Sequence, residues 1–170
     1  TTPFDDVSGS SNAVFDSALA PANSVFKSTG YSGRQSNMIY YQAPNMGGLS
    51  GAISYALGED KTATTGATST TSMDLTYAAG PVALQFAYQM QDGVDTATVA
   101  DAKFTRLGGS YDLGVAKLKA TYGKANNVGT AVGYDATDYQ IGVDFPVSPA
   151  LTLSASYAKS DDSKSAGFES

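Results

Sequence analysis

Three observations predict an all-β fold, specifically the wall of a transmembrane antiparallel β-barrel. Large apolar side chains alternate with small or polar ones, as in Val82-Ala-Leu-Gln-Phe-Ala-Tyr-Gln-Met90, and the pattern recurs along the chain. A period of two belongs to a β-strand with one apolar face. The connections between these segments are alternately short and long, and the tyrosines gather near segment ends.

Taken in order, the first strand covers Asn37–Ala43 and is the least regular, because Met38, Ile39, Tyr40 and Tyr41 are all large. Leu49, Gly51, Ile53, Tyr55 and Leu57 then alternate with Ser and Ala. Met73, Leu75 and Tyr77 alternate with Ser72, Asp74 and Thr76, and Val82–Met90 follows. Thr105, Leu107, Gly109 and Tyr111 alternate with Arg106, Gly108, Ser110 and Asp112. Ala116–Tyr122 sets Leu118 and Tyr122 against Lys117 and Lys119. Tyr139, Ile141, Val143 and Phe145 alternate with Asp138, Gln140, Gly142 and Asp144. Leu151, Leu153, Ala155 and Tyr157 form the last strand, giving eight strands and almost no helix. Pro44–Gly48, Ala79–Pro81, Asp112–Gly114 and Pro146–Pro149 are tight connections of turn-forming residues. Glu59–Ser69, Gln91–Ala100 and Ala125–Ala136 are longer and polar. Short turns on one rim and long loops on the other are the outer-membrane barrel arrangement, with the turns periplasmic.

A soluble β-sandwich also alternates apolar and polar residues, and the placement of the aromatic residues separates the two. Tyr55, Tyr88, Tyr122, Tyr139 and Tyr157 fall near the loop-side ends, while Tyr77, Tyr111 and Phe145 fall near the turn-side ends. Leu, Ile, Val and Ala lie between. Two aromatic girdles around an aliphatic band suit a lipid-facing surface, with phenols at head-group level.

Composition is consistent with this. Only 15% of the 170 residues are charged, against about 25% in soluble domains. Cys, His and Trp are absent, which rules out disulfides within this chain and leaves no ordinary zinc site. No cofactor or metal is expected. A net charge of −6 argues against a nucleic-acid partner. No apolar run approaches the roughly 20 residues of a membrane helix, but barrel strands need only about 9–11. No signal peptide is visible at Thr1–Thr2–Pro3. The strand set begins and ends on the long-loop rim, whereas complete bacterial barrels are expected to begin and end on the other. The inward set of Gly, Ala and Ser is too small to plug a narrow eight-stranded barrel and suits a wide, water-filled one. An internal stretch of a larger barrel is therefore expected.

Residues 1–36 hold no clean strand. They contain Pro3-Phe4-Asp5-Asp6, an expected short helix from Ser11 or Asn12 to Ala20 stopped by Pro21, and Asn23-Ser24-Val25-Phe26-Lys27-Ser28. The stretch Gly33-Arg34-Gln35-Ser36-Asn37-Met38-Ile39-Tyr40-Tyr41-Gln42-Ala43-Pro44-Asn45-Met46-Gly47-Gly48-Leu49-Ser50-Gly51 resembles the strand–turn–strand after the third loop of the trimeric general porins of Gram-negative bacteria. The likeness is to the β-proteobacterial porins in particular. It implies a 16-stranded barrel of which this chain holds strands six to thirteen, reaching into loop seven. Residues 1–36 become the infolded, pore-narrowing loop, and 37–170 the barrel wall.

The resemblance also implies a transverse field across the constriction. Its loop carboxylates are Asp5, Asp6 and Asp16, and its wall bases are Arg34 and the inward-facing Arg106, Lys117 and Lys119. Tyr40 stands near a position where some relatives carry Arg, which weakens the basic cluster. The implied partners are outer-membrane lipid and lipopolysaccharide, small hydrophilic solutes and ions, and two further copies in a homotrimer.

Three function classes follow. A passive diffusion channel would select by pore width and charged rings. An enzyme would usually recruit His, and the adjacent pairs Asp5–Asp6 and Asp161–Asp162 lie in polar loops with nothing apolar to perturb them. A structural barrel or adhesin would use the long loops, whose Thr, Ala and Gly content reads as ordinary solvated loop. The channel is the reading the sequence favours.

Overall fold

The computed structural model describes residues 1–8, 31–93, 99–128 and 132–162, without the side chains of residues 6–8 and 162. One short helix, α1 (Pro3–Ser8), precedes eight strands: β1 (Met38–Gln42), β2 (Leu49–Leu57), β3 (Ser69–Ala79), β4 (Val82–Gln91), β5 (Ala102–Asp112), β6 (Lys117–Asn126), β7 (Ala136–Ser148) and β8 (Leu151–Asp162). They form one antiparallel sheet in the order β1 to β8, each strand paired with its neighbour in sequence. An open backbone edge is costly in hydrocarbon, so this sheet is an arc of wall and not a closed barrel.

The alternation of short and long connections holds. Ala79 pairs with Val82, leaving Gly80 and Pro81 as a two-residue hairpin. Gly80 has φ +56°, and Pro81 is locked near −65°. Positive then negative φ is the II′ turn that matches strand twist. The hairpin at β7–β8 differs from expectation. Pro146 and Val147 belong to the strand, and the turn shrinks to Pro149–Ala150. The register shifts between Pro146 and Ser148, and such a bulge accommodates a residue that lacks an N–H. The loop-side ends of β5 and β6 also run beyond the expected spans, to Ala102 and Asn126. Backbone pairing there continues through polar residues that carry no apolar alternation.

The two faces are inverted relative to a soluble protein. Ala52, Ser54, Ser72, Ala87, Gln89 and Thr121 are buried on the concave face, while Leu84 is 50% exposed, Leu107 56% and Ile141 60%. A sandwich would bury that second set against another sheet. Here the large apolar residues form a continuous convex surface, far beyond what a soluble monomer exposes, and its natural solvent is hydrocarbon. Tyr122 lies opposite Tyr139, and the Tyr139 and Tyr157 rings are 6.2 Å apart, forming part of the loop-side girdle. On the turn side Tyr77 lies opposite Leu49 and Leu84, and Tyr111 opposite Val82 and Leu118.

This asymmetry predicts the outcome of a paired substitution. Ile141→Arg places a guanidinium on the convex face at mid-strand and should cost about 2–4 kcal/mol. Its neighbour Gln140 faces the other way, so Gln140→Arg should cost little. Urea unfolding of the full-length protein in vesicles measures both, and equal costs would contradict the assignment of faces.

Candidate functional site

The concave wall carries a docked segment. Helix α1 begins where Thr2 caps it, Thr2 Oγ1 accepting the Asp5 N–H at 3.3 Å, with Pro3 in the first helical position where its missing N–H costs nothing. This Thr-Pro-x-Asp signal was present in the sequence, but the helix expected there began instead at Ser11 or Asn12, outside the described residues. The Phe4 N–H donates to Ser72 Oγ on β3 at 2.9 Å, so the wall satisfies one of the donors of the helix start.

Phe4 is fully buried. Its ring lies 5.0 Å from Tyr31 and 6.2 Å from Phe104, and Tyr31 and Phe104 are 6.0 Å apart. Phe104 is the one large apolar residue in the inward phase of β5, and it forms the floor of this patch with Ala87, Ala102, Ala125 and Ala136. The return of the segment is fixed too. Gln89 Nε2 donates to the Ser32 carbonyl at 2.8 Å, and the Thr2 N–H to the Gly33 carbonyl at 2.9 Å. A Cβ at Gly33 would fall 2.5 Å from Asp5 Oδ1, so a larger residue there would displace the Asp5 carboxylate from its present position.

Charge is organised around that cluster. The Tyr31 hydroxyl donates to Asp5 Oδ1 at 2.8 Å. Arg106, 4% exposed on the concave side of β5, interacts electrostatically with Asp138 and Tyr31. Gly123 of β6 is the register partner of both Arg106 and Asp138, so the two ionic groups share one row with no side chain between them. The result is a chain from segment carboxylate through phenol to wall guanidinium, with Asp138 behind it.

Of the residues singled out from sequence, Asp5 and Arg106 are therefore brought together through Tyr31. Asp6 lies in α1 and its side chain is not among those described; Asp16 is outside the described residues. Arg34 is exposed. Lys119 pairs with Asp144 at 2.5 Å, and Lys117 sits in register between Asp112 and Asp144. Both lysines lie nearer the turn rim. Lys119 is opposite Ser110, four residues along β5 from Arg106, or about 13 Å at roughly 3.3 Å per residue. Tyr31, Phe104 and Asp138 were missed as site residues. Phe104 and Asp138 carried a sequence signal, the first as an aromatic and the second as an acid in the inward phase.

The Tyr31 phenol is held well above its ordinary value, first by burial, then by its bond to Asp5 and by the Asp5 charge, with Arg106 opposing. Below the ordinary phenol value of about 10, Tyr31 is protonated whether the segment is docked or not. Above it, the undocked phenol ionises while the docked one resists, so docking loses free energy as pH rises. Protease nicking of the segment in the full-length protein should therefore increase as pH climbs past about 10. Tyr31→Phe should flatten the contribution of this residue to that rise; an unchanged profile would remove Tyr31 from the latch.

Among the described residues no group of His, Cys, Asp and Glu could hold a metal ion. Among the described residues no helix is long and apolar enough to cross a membrane, which says nothing of strands that cross.

Comparison with known proteins agrees with this architecture. The profile of a family described as Gram-negative porin matches residues 1–170. Among solved structures, the anion-selective porin from Comamonas acidovorans is similar at 26% identity and a TM-score of 0.63, over 75% of this chain and 40% of that one. A second porin, refined at 1.8 Å resolution, is similar in fold at 20% identity and a TM-score of 0.57, over 75% of this chain and 46% of that one. This chain thus spans under half the length of either porin. No curated protein sequence matches it.

Proposed function

This chain belongs to the Gram-negative porin family, and we propose that the protein forms a water-filled channel through which small hydrophilic solutes and ions diffuse passively. It is an outer-membrane β-barrel protein. The observation that carries the channel reading is the inverted wall: apolar residues outward, small and polar residues inward, and a segment latched across the inward face. Buried polar atoms on that face, such as Ser54 Oγ, Ser110 Oγ and Gln85 Oε1, have no hydrogen-bond partner among the described residues. Lumen water can serve them, as it can in a wet pore.

The proposed neck has Asp5, Asp6 and Asp16 on the segment, facing Arg34, Arg106, Lys117 and Lys119 on the wall. Asp5 and Arg106 lie at its narrowest part, and Lys117 and Lys119 line a hydrated stretch nearer the turns. The Comamonas protein is named anion-selective. In this chain the neck carries both signs, so preference is set by the balance between Arg106 and the two acids around it, Asp5 and Asp138. Selection by width and charge needs no chemical step, and the protein acts without catalysis. A homotrimer in contact with lipid and lipopolysaccharide completes the proposal.

Swelling of liposomes that contain the full-length protein tests this reading. Sugars should enter at rates that fall with their size; liposomes that do not swell would favour a structural barrel.

A further inference from the structure

The strand register extends the charge pattern of the inward wall beyond the pair at Arg106. Asp74 of β3 pairs with Ala87 of β4, and Ala87 with Arg106. Arg106 pairs with Gly123, and Gly123 with Asp138. One row across five strands therefore reads Asp74, Ala87, Arg106, Gly123, Asp138. Each carboxylate stands two strands from the guanidinium, about 10 Å at roughly 4.8 Å per strand, with only Ala or Gly between. Nearer the turns, Lys119 is paired with Asp144, and Lys117 sits in register between Asp112 and Asp144. Among the described side chains, the inward phase of the strands thus sets Asp74, Asp112, Asp138 and Asp144 against Arg106, Lys117 and Lys119. Acids outnumber bases on the wall itself.

The segment has the same sign. Residues 1–36 hold Asp5, Asp6 and Asp16 against Lys27 and Arg34. Within the row, Asp138 is 6% exposed, and both of its carboxylate oxygens lack a hydrogen-bond partner among the described residues. Ser160, its register partner on β8, is fully buried. Arg106 interacts electrostatically with Asp138. That one guanidinium stands between two wall carboxylates and, through Tyr31, a third on the segment. Open carboxylate oxygens on a lumen face accept hydrogen bonds from water and attract a hydrated cation in passing.

We propose that Asp74 and Asp138 are specificity-determining residues that make the neck favour small hydrated cations and cationic solutes. The inference rests on the channel reading above and adds the sign of its preference. Asp74 acts from the side of α1, which packs on β2, β3 and β4, and Asp138 from the other side of Arg106. Together they outweigh the single positive charge between them. An ion crossing this level meets a net negative wall, which lowers the barrier for a cation and raises it for an anion.

The test is the reversal potential of the full-length protein in a planar bilayer under a tenfold KCl gradient. The salt is kept at or below about 0.1 M, where the Debye length is about 10 Å. The unmutated protein should prefer cations. Asp74→Asn and Asp138→Asn should each lower the cation-to-anion permeability ratio about twofold, the Coulomb effect of one unit charge on an ion passing roughly 8 Å away in water. The double variant should lower it by the product of the two, and the Asp→Glu pair should keep it. Glu59→Gln removes an exposed acid at the long-loop rim, where Glu59 accepts from Asn37 Nδ2, and should leave the ratio nearly unchanged. Conducting steps with a ratio unmoved in both Asn variants would overturn the inference and leave the channel standing, as would an equal shift from Glu59→Gln. Absence of steps would overturn both. If neither Asn variant folds, the unmutated protein still decides, since a preference for anions would overturn the assignment.

Discussion

Replacing Phe4 by alanine should release the infolded segment and raise single-channel conductance. Phe4 is fully buried against Tyr31 and Phe104, and loss of a buried phenylalanine costs about 3–5 kcal/mol. Among the described residues, what remains to hold the segment is the burial of Thr2 and Pro3 and a few hydrogen bonds, among them Phe4 N–H to Ser72 and Gln89 to Ser32. Each such bond is worth about 1 kcal/mol net, less where water competes. The loss of the aromatic contact therefore exceeds that of any one polar contact. The strands do not depend on Phe4 for pairing, so the barrel should survive, with the segment open to protease and larger conductance steps. Steps of unchanged size together with a protected segment would show that the cluster is not the latch.

Arg106→Glu should shift ion preference toward cations, read as a change of reversal potential across a salt gradient. Arg106 is buried on the concave face beside Asp138, with Tyr31 and its partner Asp5 at the segment. Removing one member of a buried ionic pair costs about 3–5 kcal/mol locally because the other is left uncompensated. Reversal of the charge puts Glu in the same row as Asp138 and adds like-charge repulsion, so the segment should also loosen. Arg106→Gln separates the two effects: it should shift the reversal potential less. A reversal potential that does not move in either variant would place Arg106 outside the ion path. By contrast, Lys119→Gln acts on a side chain paired with Asp144 nearer the turns and should change preference only slightly.

Much of this was legible in the sequence, because a barrel wall depends on local periodicity. Period-two runs such as Val82–Met90 marked the strands, Gly80–Pro81 and Pro44–Gly48 marked the tight rim, and the tyrosines marked the depth. The strand ends were less readable. At Lys103, Lys124 and Asn126 the ladder continues through polar residues outside the apolar band, where backbone pairing leaves no trace in side-chain pattern. At Pro146 a residue normally read as a strand breaker sits at a bulge.

The site was half readable. Arg106 declared itself as a cation in the inward phase, and Asp5 as a loop acid. Their meeting through Tyr31 depends on a contact between Phe4 and Phe104, far apart in the chain, which no local pattern encodes. An aromatic at position 104, in an inward phase of β5 that otherwise holds Ala102, Arg106, Gly108 and Ser110, was the sign that something must cover it.

This wall and its latched segment are proposed to belong to an open aqueous pore. Single-channel recording of the full-length protein in a planar bilayer tests it most directly. Frequent stepwise increases of uniform, ohmic conductance that grow with salt concentration are the result predicted. A correctly folded barrel that gives no steps, or only rare small ones, would contradict the account.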